Sequence, residues 1–150
     1  MDAFFTLFDL IGVLARRRYQ TAEQCFAPLG LNHTEARLLS LLCQAGGSAP
    51  QDTLTKSLTI DRTNAGRGLK RLEQEGCLVR ESNSEDKRAN RVKITAKGRK
   101  LVGEISKQRK KIAQTFFGEL SEKEARQAIA LLSKSLSEEE QQLMTSRKDS

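Results

Sequence analysis

The 150-residue sequence predicts a mainly α-helical protein with one small β-hairpin, an α+β fold. Apolar residues recur every three or four positions over most of the chain, which is the pattern of amphipathic helices. Between residues 78 and 95 the period falls to two, as is typical of strands. A hydrophobic content of 37% and a charged content of 30% suit a folded domain. A chain of this length can bury a core without cross-links or metals.

The central helix is predicted over residues 62–75. Asp61 is a favourable N-cap, and Gly76 stands where a helix would stop. Ala65, Leu69 and Leu72 recur at helical spacing and form the predicted buried face. The remaining polar and basic residues can reach phosphates and base edges, so they are the candidate DNA-binding groups of this helix. They are Arg62, Thr63, Asn64, Arg67, Lys70 and Arg71.

Two strands are predicted after this helix. Residues 78–80 form the first, a polar cluster at 82–86 forms the turn, and residues 91–95 alternate polar side chains with Val92 and Ile94. A loop at 46–50 and a short helix at 51–58 precede the central helix. Helix, turn, helix and hairpin in this order predict a winged helix-turn-helix, in which the second helix enters a major groove of DNA.

Positive charge is concentrated in the same region. Residues 62–100 contain 12 Lys and Arg against 5 Asp and Glu, a net charge of +7, and the whole chain also carries +7. The rest of the sequence is therefore neutral overall. A surplus confined to one helix and one hairpin favours a polyanionic partner over an ordinary solvated basic face.

The hairpin also carries a family resemblance. Asp86-Lys87-Arg88-Ala89-Asn90-Arg91-Val92-Lys93-Ile94-Thr95 resembles the wing of the MarR (multiple-antibiotic-resistance regulator) family of bacterial transcription factors. That pattern is Asp-x-Arg, five residues, then Leu-Thr, and Ile94 here replaces Leu. Residues 72–79 and 97–99 are also similar to the family.

One departure from the family lies at residues 65–68, Ala-Gly-Arg-Gly, where members usually have larger residues around the arginine. Each glycine in a helix interior costs about 1 kcal/mol relative to alanine. Two interpretations stay open: a helix that frays until it docks, or a close approach of its backbone to DNA.

The resemblance implies a dimeric, sequence-specific regulator of transcription, usually a repressor. Its wing would place Lys87 and Arg88 in a minor groove, with Arg91 as a further DNA-binding residue and Asp86 holding the shape of the wing. Two-fold symmetry would require a pseudo-palindromic site on double-stranded DNA. A small-molecule effector that changes the spacing of the two lobes would weaken binding.

The predicted organisation assigns residues 30–96 to the winged lobe, residues 1–29 and 97–145 to a helical dimerisation region, and residues 146–150 to a mobile tail. The first helix is apolar nearly all round, so a partner subunit is expected to cover it. Asn32 with Glu35, and Ser121 with Glu124, predict capping boxes at the starts of two further helices. The last of these helices is expected to extend through Leu136.

Other functional classes lack the residues they need. No nucleophile with a base, carboxylate pair or metal cluster is visible, so neither an enzyme nor a bound metal or cofactor is expected, and His33 is a lone histidine. The first apolar stretch is shorter than the roughly 20 residues that span a bilayer, so no membrane or export signal is expected. Three cysteines without Cys-x-x-Cys spacing indicate a reducing cytoplasm.

Two alternative functions stay open from the sequence. A thiol-based redox regulator would use Cys25, which follows the basic run at residues 16–18 near the end of the first helix. A winged-helix protein-assembly module would instead bind an acidic protein partner. Salt dependence and sequence preference of DNA binding would discriminate the second alternative from DNA recognition.

Overall fold

The computed structural model describes residues 2–58, 62–82 and 90–146, and it divides between Ile112 and Ala113 into two compact units. It confirms the predicted α+β fold class. The elements of the first unit begin with helices α1 (Ala3–Phe26) and α2 (His33–Gln44), strand β1 (Ser48–Pro50) and helix α3 (Gln51–Lys56). They continue with helix α4 (Ala65–Gln74), strands β2 (Leu78–Ser82) and β3 (Asn90–Ile94), and helix α5 (Ala96–Phe116), of which the residues up to Ile112 belong to this unit. The second unit contains α6 (Glu122–Ser133) and α7 (Glu138–Ser146).

The core of the first unit lies where α2, α4 and the sheet meet. Its largest fully buried apolar side chains, with relative exposures below 2%, come from α2, α4, β2, β3, α5 and the segment after α3. They are Leu38, Leu39, Leu42, Leu58, Leu69, Leu72, Leu78, Val92 and Ile105. The predicted inward positions of α4 are therefore core positions, and burial of this apolar area, at roughly 25 cal/mol per Å², fixes α4 against α2.

The two predicted capping boxes are confirmed. The Asn32 side chain accepts a hydrogen bond from the Glu35 backbone N–H at 2.8 Å, and the Glu35 carboxylate accepts from the Asn32 backbone N–H at 3.1 Å. Ser121 and Glu124 make the same reciprocal pair at the start of α6. The hydrogen bonds from Ser121 hold the pKa of the Glu124 carboxyl below its usual value. Local sequence alone thus determines where both helices begin.

The three strands form an antiparallel sheet in the order β1-β3-β2, with Val92 of the central strand opposite Ala49 and Arg80. The prediction of a loop at residues 46–50 is wrong for residues 48–50, which form the edge strand β1. Proline is tolerated at a sheet edge because its missing N–H faces no neighbouring strand. Two glycines and one proline within five residues are typical of a loop, so the sequence pattern did not indicate this short strand.

The C-terminal part also differs from prediction. The last predicted helix was expected to continue through Leu136, but α6 ends at Ser133 and a separate helix follows. The reason is a further cap, in which the Ser137 N–H donates to the Glu140 carboxylate at 2.8 Å and the Glu140 N–H donates to Ser137 Oγ at 3.2 Å. Ser146 belongs to α7 rather than to a tail, and residues 147–150 lie outside the described part of the chain. Throughout the described ranges, no helix has the length and apolar character needed to cross a membrane.

Candidate nucleic-acid interface

Helix α4 presents one apolar and one polar face. Ala65, Leu69 and Leu72 are 0%, 0% and 1% exposed, as the sequence predicts. The candidate DNA-binding residues on the other face are exposed at Thr63, Asn64, Arg67, Lys70 and Arg71. Packing of the apolar face into the core therefore fixes a row of polar and cationic groups at the surface.

The start of this helix differs from the predicted one. Residues Arg62–Asn64 form a 3₁₀ turn, and the α-helix begins only at Ala65. Asn64 makes no side-chain capping bond, and the predicted N-cap, Asp61, lies outside the described residues, as does the side chain of Arg62. The predicted end is confirmed, because Gly76 adopts a left-handed φ of 75° after the last turn.

Arg71 differs from its neighbours because its guanidinium binds within the protein. Its Nη1 lies 3.0 Å from Oε1 of Glu35, and its Nη2 donates to the carbonyl oxygen of Gly30 at 3.1 Å. The Glu35 side chain is 2% exposed, whereas that of Arg71 is 51% exposed. The same Glu35 carboxylate caps α2, so one buried acid joins the start of α2 to α4. The sequence assigned Glu35 to the cap alone and Arg71 to DNA.

Arg67 has a different environment. No hydrogen bond or ion pair joins its side chain to residues 2–58, 62–82 or 90–146. Arg67 and Arg71 are four residues apart and hence on neighbouring turns of one face. Only Arg71 reaches the buried carboxylate of α2, so Arg67 is the arginine of this helix whose charge faces outward.

The described part of the hairpin contributes Arg91. It is exposed on β3, and its Nε donates to Ser48 Oγ at 3.1 Å on the edge strand. Beside it, Lys93 and Glu81 form an exposed ion pair at 3.1 Å. The remaining wing predictions concern Asp86, Lys87 and Arg88, which lie outside the described residues and stay predictions.

The end of α4 is tied to the start of α5 by residues that sequence reasoning did not single out. Thr95 Oγ1 donates to the Gly76 carbonyl and Lys97 Nζ to the Glu75 carbonyl, each at 2.6 Å. A Cβ atom on Gly98 would overlap the carbonyl oxygen of Cys77, so only glycine permits this approach. The nearest sequence signal was the Lys97-Gly98-Arg99 similarity to the family, which did not indicate this role.

The thiols differ in burial. Cys77 is buried, whereas Cys25 and Cys43 are partly exposed. Burial raises the pKa of the Cys77 thiol, and the carboxylates of Glu75 and Glu35 add to the effect, while Lys97 opposes it. Burial and the raised pKa both make the Cys77 thiol a poorer nucleophile than an exposed cysteine. No group of three or more His, Cys, Asp and Glu side chains within the described ranges is arranged to hold a metal ion.

An open groove of about 510 Å³ lies between α1, α2 and α4. Tyr19 and Glu23 line it from α1, Glu35 from α2, and Arg67 and Arg71 from α4. Its volume is in the range of small-molecule sites. Sequence reasoning missed this groove because residues far apart in the chain form it, and no local pattern marks their approach.

Comparisons with known proteins agree with this geometry. The MarR family profile matches residues 29–89. The reduced form of MarR from E. coli is 25% identical with a TM-score of 0.75, over 87% of this chain and 96% of that chain. A cysteine-to-serine mutant of E. coli MarR complexed with operator DNA is 25% identical with a TM-score of 0.72, over 91% of this chain and 100% of that chain.

A third similar structure is BpsR from Bordetella bronchiseptica, whose DNA binding is regulated by 6-hydroxynicotinic acid. It is 27% identical with a TM-score of 0.69, over 84% of this chain and 98% of that chain. The profile ends immediately before strand β3, and the structural similarity extends over most of the chain. Together with the wing pattern and the sheet topology, these matches show that residues 29–89 form a MarR-type domain and that most of the chain is similar in fold to MarR regulators.

Proposed function

We propose that this protein is a homodimeric, sequence-specific DNA-binding repressor, acting in the cytoplasm, that a small-molecule effector releases from its operator. The observation that carries the proposal is an exposed polar row, formed by Thr63 and Asn64 of the 3₁₀ turn and by Arg67 and Lys70 of α4, whose other face is core. The operator complex of the similar E. coli protein supports double-stranded DNA as the partner.

The chemistry of this row suits base recognition rather than catalysis. An arginine can donate two hydrogen bonds to guanine, and an asparagine can pair with the edge of adenine, each contact contributing about 1–3 kcal/mol of discrimination. Arg67 is available for such a contact because it has no polar partner in the described part of the chain. Lys70, Arg91 and the wing residues Lys87 and Arg88 would add phosphate and minor-groove contacts.

Homodimerisation is supported by the apolar side chains that a single chain leaves exposed. On α1, Phe4 is 83% exposed, Phe8 75% and Val13 66%. On α6, Ile129 and Leu131 are 60% and 63% exposed. Soluble monomers rarely expose such clusters, and burial against a second copy would stabilise the pair by roughly 25 cal/mol per Å² of apolar surface. The dimerisation region would then comprise residues 1–29 and 97–145.

The groove between α1, α2 and α4 supports the effector part of the proposal. A ligand bound there would contact Arg67 directly and would lie against the Glu35–Arg71 ion pair that holds α4 to α2. Such a ligand would compete with DNA for Arg67 and could reorient the recognition helix. The reciprocal effect follows from linkage, because DNA must then weaken effector binding by the same factor.

Selection of bound sequences from random double-stranded DNA tests the proposal. We expect a pseudo-palindrome whose half-sites are about one helical turn apart, with affinity that falls steeply as salt rises. A protein that enriches no sequence, while an acidic polypeptide binds it, would contradict DNA recognition and support the protein-assembly alternative. Enrichment of a single unrepeated half-site would contradict the dimeric arrangement.

A further inference from the structure

The two glycines of the recognition helix have different environments. A Cβ atom built on Gly68 would lie 3.0 Å from Cδ1 of Leu38, with Thr34 and Glu35 also in contact. Gly68 therefore permits α4 to pack closely on α2. A Cβ atom built on Gly66 has no atom within 4 Å in the described part of the chain. Packing within the protein explains why residue 68 is a glycine, but it does not explain why residue 66 is one.

Gly66 also has no conformational reason to be glycine. It lies within α4, and the glycines with positive φ in the described residues are Gly30, Gly46, Gly47 and Gly76, not Gly66. Alanine is a better helix former than glycine because it restricts the unfolded chain more strongly. Gly66 thus weakens the helix without a compensating contact in the described residues.

The position of Gly66 indicates what the absence of a side chain there permits. Residues four apart share a helix face, so Gly66 lies beside Lys70 on the exposed face of α4, in the first turn of the helix after the 3₁₀ turn that contains Thr63. In helix-turn-helix proteins the first residues of the recognition helix contact base edges in the major groove. A glycine there lets the helix backbone approach a ligand more closely than any other residue does.

We infer that Gly66 is a specificity-determining residue, at which the backbone of α4 packs directly against a base edge in the major groove. This inference rests on the proposed DNA-binding function. The space left by the absent Cβ is large enough for a methyl group, and thymine is the base that presents a C5 methyl group in that groove. Gly66 would thereby select a thymine-containing base pair next to the position that Arg67 reads.

The test compares Gly66→Ala with wild type in thermal unfolding and in selection from random DNA. The melting temperature should rise by roughly 2–4 °C, because the variant gains helix propensity and meets no obstacle. Affinity for the operator selected by wild type should fall about tenfold, and selection with the variant should lose the thymine preference at one position of each half-site.

Gly103→Ala is the matched control. Gly103 lies in α5, and a Cβ atom there has no atom within 4 Å in the described residues, so the control should also melt higher. It should bind the wild-type operator with unchanged affinity. Equal loss of DNA binding in both variants would overturn the inference, because stiffening of any helix would then suffice.

Two further results would overturn the inference. If Gly66→Ala binds the operator as tightly as wild type with the same preference, no base lies against Gly66. If the variant melts at a lower temperature, the glycine serves the fold instead. Absence of operator binding by wild type is a separate outcome, which contradicts the proposed function and with it the premise of the inference.

Discussion

Replacement of Arg71 by alanine should destabilise the fold, because it leaves the buried Glu35 carboxylate without its cation. Glu35 is 2% exposed and Arg71 is 51% exposed, so the pair is accessible to water from one side only. Removal of one partner from a fully buried pair costs about 3–5 kcal/mol, whereas an exposed pair contributes about 1 kcal/mol or less. Asn32 still donates two hydrogen bonds to the carboxylate. We therefore expect a loss of about 2 kcal/mol.

Equilibrium unfolding in urea at a fixed protomer concentration measures this loss. With a slope of about 2 kcal/mol per molar urea, the midpoint should fall by roughly 1 M. Arg126→Ala is the matched control, because it removes an arginine from an exposed ion pair. The side chains of Arg126 and its partner Glu122 are 76% and 79% exposed. The control should shift the free energy of unfolding by about 0.5 kcal/mol or less.

Arg67→Ala should change DNA recognition and leave stability unchanged, so it tests whether Arg67 and Arg71 have different roles in α4. It should leave the free energy of unfolding within about 0.5 kcal/mol of wild type. It should also relax the base preference at one operator position per half-site, by about 1–3 kcal/mol. If Arg71→Ala instead unfolds at the wild-type urea concentration and loses preference at one base position, Arg71 binds DNA and its contact with Glu35 does not hold in solution.

The remaining predictions concern the dimer, the wing and the thiols. Sedimentation at micromolar concentration should show a dimer that Phe8→Glu dissociates, and a monodisperse wild-type monomer would contradict the proposed interface. Arg88→Ala should weaken binding to all sequences and reduce the salt slope by about one unit per lost contact, so an unchanged slope would show that the wing does not touch DNA. At neutral pH, alkylation followed by mass spectrometry should label Cys77 more slowly than Cys25, because burial raises the pKa of the Cys77 thiol. Mild peroxide should leave DNA binding unchanged in wild type and in Cys25→Ser, and a response that Cys25→Ser abolishes would establish the redox alternative.

Much of the fold could be predicted because its helices begin at local signals. The Asn32–Glu35 and Ser121–Glu124 boxes each lie within four residues, so no knowledge of the tertiary structure is needed to find them. Strand β1 has no such signal. Its three residues become a strand only because β3, more than 40 residues later, offers them hydrogen-bond partners. The Ser137–Glu140 pair was a readable local signal that the sequence interpretation overlooked.

The sequence predicts the net charge of the candidate site, but it predicts the roles of the individual residues only partly. A net charge of +7 over residues 62–100 indicates an anionic partner, but composition does not reveal which cations face outward. Within that window Lys97 donates to the carbonyl of Glu75, and Arg71 binds Glu35, so neither charge is as available as the count suggests. Both contacts depend on the packing of helices that are distant in sequence.

The difference between Arg67 and Arg71 follows from how α4 packs on α2. Both arginines lie on one face of α4, and a helical projection of the sequence assigns them the same environment. Because Gly68 has no Cβ, α4 packs so closely on α2 that a Cβ built at residue 68 would lie 3.0 Å from Leu38. This close packing places Arg71 beside the Glu35 carboxylate. Arg67, one turn nearer the helix start, borders the groove. Gly68, which sequence reasoning could assign only to fraying or to DNA approach, thus determines which arginine of α4 binds within the protein and which one faces outward.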